Sequence, residues 1–103
     1  MSFDLIYPKE LHEIVNSLHA IVVDVRDKTD YKQGHYPGSV NYDFQGLNEG
    51  CYIFSQGRYI IFMCDHGGAS TMLARKYAKM GYRCGTVVGG YEAVKKVLKS
   101  TFI

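Results

Sequence analysis

Two short apolar runs limit the folds open to this chain. Ala20-Ile-Val-Val-Asp24 and Tyr59-Ile-Ile-Phe-Met63 are rich in β-branched and aromatic residues and do not alternate with polar ones. Alternation marks a strand with one wet face, so its absence reads as a strand covered on both faces. The covering helices are also legible. Pro8 suits the first turn of a helix, and Leu11, Ile14, Val15 and Leu18 follow at i, i+3, i+4 and i+7. A second helix is expected over about 69–80, where Ala69, Leu73 and Tyr77 form one row flanked by Met72 and Met80. Gly81 is placed to end it. A last helix from Tyr91 to about Lys99 turns Val94, Val97 and Leu98 inward.

Weaker signals fill the gaps. Phe3 to Tyr7, Ser39-Val-Asn41 and Gly85-Thr-Val-Val88 read as short strands. Residues 27–38 are rich in turn formers, with one helical turn at 29–33, and 43–58 reads as irregular because three glycines interrupt any period. The repeated strand–helix steps predict an open α/β sheet in a single domain over 1–103. Ligands of such sheets bind just beyond the carboxyl ends of the strands. Asp24-Val-Arg26 follows one of the two buried runs and Cys64 follows the other.

Composition removes several classes of function. The chain has 103 residues, 47% apolar and 21% charged, with a formal charge of +2. That apolar fraction excludes a disordered chain. The basic residues are scattered, with Arg75-Lys76 and Lys95-Lys96 the only adjacent pairs, so no phosphate-binding stripe and no nucleic-acid partner is expected. No apolar run approaches the roughly 20 residues of a membrane span, and the N-terminus lacks the basic and apolar regions of a secretory signal. Cys51, Cys64 and Cys84 match neither a disulfide framework nor a zinc site. A cytoplasmic domain with three reduced thiols is expected, without a metal.

Cys64-Asp-His-Gly-Gly-Ala-Ser70 is the segment that carries chemistry. A cysteine ends a buried strand, and a glycine-bearing loop leads into a helix. Successive loop amides and the positive helix end together make an anion cradle. Gly67 and Gly68 allow the backbone to curl closely around a ligand. A thiol at the centre of that cradle gains hydrogen bonds when it ionises, which favours a nucleophilic thiolate. The other reading is a core cysteine that happens to precede a turn. Cys51 and Cys84 lack a following nest and are expected to be inert. His66 is placed either to act as a general base or anion ligand, or to sit in solvent. Asp65 opposes ionisation of its neighbour unless it points outward. Asp24 and Arg26 either steer substrate or, the favoured reading, hold a neighbouring loop. His35 is expected to order a turn, and His12 and His19 to lie on a helix surface.

Three separated motifs resemble those of the rhodanese-like family. Val23-Asp-Val-Arg26, with Asp30-Tyr-Lys-Gln-Gly-His-Tyr-Pro-Gly38 and Asn41, resembles its entry signature. Phe62-Met-Cys64-Asp-His-Gly67 resembles its cysteine-bearing strand and loop, in the form seen in single-domain thiosulfate sulfurtransferases. Gly81-Tyr82 through Val88-Gly-Gly90-Tyr91 resembles its closing stretch. The resemblance implies a five-stranded, mostly parallel sheet with helices on both faces. It also implies that Cys64 takes sulfane sulfur from thiosulfate or a persulfide, holds it as a persulfide among the amides of Asp65, His66, Gly67, Gly68, Ala69 and Ser70, and yields it to cyanide, a thiol or an acceptor protein. No metal or organic cofactor is implied. Asp30, Ser39 and Tyr91 replace the more usual Glu, Ala and Trp, and the loop lacks the Lys or Arg that some thiosulfate users carry.

Two rivals differ in what they require. A phosphatase or arsenate reductase on the same fold needs an arginine six residues after the cysteine, where a guanidinium grips the oxyanion. Position 70 is Ser, and Arg75 lies well beyond it. A persulfide carrier or a regulatory rhodanese-like domain needs no turnover. The intact Cys64 argues against a purely structural module.

Overall fold

The computed structural model describes residues 2–55 and 57–101. Along the chain run β1 (Asp4–Ile6), α1 (Pro8–Leu18), β2 (Ile21–Asp24), α2 (Lys28–Gln33), β3 (Val40–Asn41), α3 (Phe44–Asn48), β4 (Ile60–Met63), α4 (Gly68–Lys79), β5 (Cys84–Val87) and α5 (Gly90–Thr101). The strands form one sheet in the order β1-β5-β4-β2-β3. Every pairing is parallel, which sharpens the expected mostly parallel sheet. The reason is connectivity: each strand is joined to the next through a helix, the crossover that parallel neighbours require.

Alternation of side chains sorts the core into two layers. Val23, Ile60, Phe62 and Cys84 pack with Leu73, Ala74 and Tyr77 of α4 and Leu47 of α3. Ile6, Val22, Ile61, Met63 and Val87 pack with Leu11 of α1 and Val94 of α5. The central strand β4 is buried along its whole length, as its unalternating sequence requires. Truncating Phe62 to Ala would cost about 3–5 kcal/mol. The helix stripes are narrower than their sequence suggests, since Leu18, Met72 and Met80 are exposed.

Within 43–58, residues 44–48 depart from the irregular reading, which holds for the other described residues of the stretch. Asp43 caps a five-residue helix, its carboxylate accepting from the Gly46 amide at 2.8 Å and from the Tyr52 hydroxyl at 2.7 Å. These two hydrogen bonds hold the Asp43 carboxyl below its ordinary range. Leu47 then drops into the core, and its carbonyl accepts from the buried Tyr77 hydroxyl. Phe54 is also buried, edge-on to Phe62, Tyr77 and Tyr82. Side-chain anchors fix this segment where backbone periodicity is absent. The turn expected at 29–33 is the slightly longer α2, and the strands expected at 39–41 and 85–88 are placed at Val40–Asn41 and Cys84–Val87. Helix α4 ends as Gly81 suggested: the Tyr82 amide donates to Tyr77 O and the Gly81 amide to Ala78 O, the paired bonds of a Schellman cap.

Candidate active site

Strand β4 delivers Cys64 to the middle of the sheet's carboxyl edge, with its side chain on the α4 side and 7% exposed. The chain then turns through Asp65 and His66 to Gly67, whose φ of +111° is open to glycine at little cost. Gly67 is the N-cap of α4 and has no side chain to receive the first-turn amides. The sulfur takes that place. Gly67 N donates to Cys64 Sγ at 3.1 Å, and Ser70 N, the third residue of the helix, donates at 3.3 Å. The amides of Gly68 and Ala69 precede the first intrahelical bond and are left unpaired within the helix. The sulfur therefore sits at the positive end of the α4 dipole with two N–H groups on it, which favours an anion there.

Hydroxyls line the side of the sulfur that faces the sheet. The Cys64 thiol donates to Ser70 Oγ at 3.3 Å, and Ser70 Oγ lies 2.8 Å from Thr86 Oγ1 of β5. Ser70 Oγ also donates to Gly67 O at 3.3 Å, and Thr71 Oγ1 donates to the same carbonyl at 2.6 Å. Ser70 and Thr86 are fully buried.

The start of α5 braces the loop from the other side. Tyr91 N donates to Cys64 O at 2.8 Å and Glu92 N to Asp65 O at 3.2 Å. Gly90 approaches so closely that a Cβ there would lie 2.4 Å from Asp65 O and 2.5 Å from Cys64 O, with φ at +64°. Only glycine fits. Gly90 and Thr86 were not among the expected site residues. The glycine pair before Tyr91 was a usable signal, whereas Thr86 meets Ser70 across 16 positions of sequence and gave none.

Asp24 and Arg26 form a buried pair at the end of β2. Arg26 Nε donates to both Asp24 oxygens at 3.0 and 3.1 Å, and Nη2 donates to Asp24 Oδ2 at 2.8 Å and to Gly34 O at 2.7 Å. The guanidinium also lies 4.0 Å from the Tyr91 ring centre. Burial pulls the Arg26 guanidinium down, but the hydrogen bonds and charge of Asp24, with the charge of Asp65 behind them, hold it above its ordinary range. Asn41 ties the same strand end, donating to Asp24 O and Arg26 O. The pair thus joins β2 to the 34–41 segment and to Tyr91 beneath the loop.

The remaining expected residues separate clearly. Asp65 is half-buried, while His66 and Gly68 are exposed. His35 stacks on Tyr31 and bonds its carbonyl, ordering the turn as expected. Cys51 is exposed. Cys84 is buried, and desolvation pushes its thiol up to about 11. Among the described residues, no three His, Cys, Asp or Glu side chains are grouped as a metal site requires. No helix of the described residues is long and apolar enough to cross a membrane. A cleft of about 880 Å³ that does not include Cys64 lies along the ends of β2 and β3 between Lys28, Lys32, Tyr42 and Tyr52. Its Val25 donates to Met63 O, which places one wall beside the end of β4.

Residues 7–97 match the family described as the Rhodanese-like domain. The chain is 27% identical over 93 residues to a thiosulfate sulfurtransferase GlpE from Actinobacillus succinogenes, covering 89% of this chain and 84% of that protein. It is 25% identical over 95 residues to a tRNA sulfurtransferase from Desulfurococcus amylolyticus, covering 92% of this chain but only 18% of that protein's length. Among solved structures, a rhodanese-related protein from Thermoplasma volcanium superposes with a TM-score of 0.82 at 22% identity, over 91% of this chain and 92% of that one.

Proposed function

The chain belongs to the rhodanese-like domain family, and from that premise we propose that it is a sulfurtransferase in which Cys64 carries sulfur as a persulfide. One observation carries the reading: the Cys64 sulfur occupies the N-cap acceptor position of α4, with the Gly67 and Ser70 amides donating to it. In the first half of the cycle the Cys64 thiolate attacks the outer sulfur of a donor. With thiosulfate, a new S–S bond forms at Cys64, the donor's S–S bond breaks, and its electron pair departs with sulfite. The enzyme is left as Cys64–S–S⁻. In the second half an acceptor nucleophile, cyanide or a thiolate, takes the terminal sulfur and the bonding pair returns to Cys64. Charge is conserved in both steps, and no electrons enter or leave. The negative sulfur is met throughout by fixed N–H donors that need not reorganise.

The donor's own charge has few partners. The loop holds no Lys or Arg, and Arg26 is engaged by Asp24. A persulfide donor such as glutathione persulfide, whose reacting sulfur end carries one charge, is therefore expected to load Cys64 at lower concentration than thiosulfate, whose two charges both lie at the reacting group. The test is intact-mass measurement after incubation with each donor, with Cys64→Ala as control. One added sulfur, removable by dithiothreitol and absent from the variant, supports the proposal. Failure of both donors to add sulfur to Cys64 overturns it.

A further inference from the structure

Cys64, Ser70, Thr71 and Thr86 form a hydroxyl chain in which the hydrogens can be counted. Each hydroxyl has one hydrogen to give and two lone pairs to receive. With Cys64 as a thiol, S–H points to Ser70 Oγ, and the Ser70 and Thr71 hydroxyls both point to Gly67 O. Once the thiol proton has left to solvent, the sulfur accepts and no longer donates. Ser70 must then turn its only hydrogen toward the sulfur. Gly67 O loses nothing essential, because Thr71 still donates to it at 2.6 Å. Ser70 Oγ, however, has lost the S–H it was receiving, in a site where no water reaches Ser70 or Thr86.

We propose that Thr86 is a positioning residue: its hydroxyl donates to Ser70 Oγ and holds the Ser70 hydroxyl turned onto the Cys64 sulfur whenever that sulfur is anionic. Placement supports this. Thr86 pairs through its backbone with Phe62 on one side and Leu5 on the other, so its side chain is fixed by the sheet rather than by the loop. Its hydroxyl lies 2.8 Å from Ser70 Oγ and 3.4 Å from Thr71 Oγ1, the two hydroxyls that change or keep their direction. A chain of such bonds polarises along its length, so a donor behind Ser70 strengthens what Ser70 gives to the sulfur. The strand thus takes part in stabilising a charge that the loop alone was expected to hold.

The inference rests on the reading of Cys64 as the working sulfur, but its test does not require sulfur transfer. Thr86→Val keeps the β-branched shape and removes the hydroxyl. It leaves no buried donor stranded, because Ser70 and Thr71 keep acceptors. The readout is the rate of Cys64 alkylation by iodoacetamide against pH, followed by peptide mass. The charged and titratable groups in the loop and on the adjoining strand and helix ends are Asp65, His66, Asp24, Arg26, Tyr91 and Glu92, and all are unchanged in the variant. Thr86→Val is expected to slow alkylation at pH 7 about fivefold, the loss of one net hydrogen bond. The curve should move to higher pH with its upper plateau kept, and Thr86→Ser should restore it. In a Ser70→Ala background, Thr86→Val should add nothing, since its effect passes through Ser70. An unchanged curve for Thr86→Val, or an equal loss without Ser70, overturns the inference. If Thr86→Val loses its fold, seen as alkylation of Cys84, Thr86→Ala carries the same comparison. Failure of the unmodified protein to take up sulfur would instead overturn the proposed function and leave this result standing.

Discussion

Arg26 lies beneath the site with its Nε and Nη2 already engaged. Those groups bond Asp24 and the Gly34 carbonyl, and its face covers Tyr91. Removing one partner of such a buried pair strands the other. Asp24→Ala is expected to cost about 3–5 kcal/mol in urea unfolding. Under conditions where that variant is folded, its sulfur loading should match the unmodified protein; a folded variant that fails to load would place the pair in substrate steering instead. The three cysteines should also separate chemically. At neutral pH, Cys64 should alkylate first and the exposed Cys51 more slowly, while Cys84, buried and pushed up to about 11, should react only on unfolding. Mass mapping of partially alkylated protein checks the order, and equal rates would mean the amides around Cys64 confer nothing.

The cysteine loop is shaped by the two glycines that bound it. Gly67 opens α4 with a positive φ, and Gly90 lets α5 begin against the loop's carbonyls. Gly90→Ala would drive a methyl into Asp65 O and Cys64 O, so the loop must shift. Sulfur loading should fall on the order of tenfold or more, as for other displacements of reacting groups. Gly67→Ala meets no such wall, only ordinary contacts near 3.5 Å, but its backbone strain costs about 1–3 kcal/mol. Comparing loading with urea midpoints for the two variants separates displacement from strain. Elements of this kind differ in how well sequence announces them. The β4–loop–α4 unit was readable because a run without alternation, a cysteine and two glycines each have a direct backbone meaning. Helix α3 was not, because five residues with Gly46 among them have no period, and what fixes them is Asp43, Leu47 and distant Tyr77. Phe54 escaped for the same reason: its burial among Phe62, Tyr77 and Tyr82 is a tertiary fact. Thr86 reads as an ordinary strand residue until α4 is laid over it.

At the scale of the whole molecule, both faces of the sheet hold protons that the unfolded chain would release in base. Burial raises Cys84 from 9.0 to about 11. Burial first, and then the hydrogen bond to Asp4, raises Tyr59 as well. The folded state therefore binds more protons than the unfolded one across this range, and stability falls as pH rises. The urea midpoint should hold to about pH 9 and decline toward pH 11, with a shallower decline in Cys84→Ala. A midpoint that stays level would contradict that linkage. The same architecture bears on how sulfur leaves the protein. Strand β4 lies between β2 and β5, and Cys64 is pinned by its carbonyl to Tyr91 and by its sulfur to α4. If Cys64 carries sulfur, its cargo rides on no swinging arm. The proposed persulfide is a docked berth on a residue only 7% exposed, so recipients must come to it and present a slender nucleophile; reach, and with it the choice of customer, belongs to the visitor.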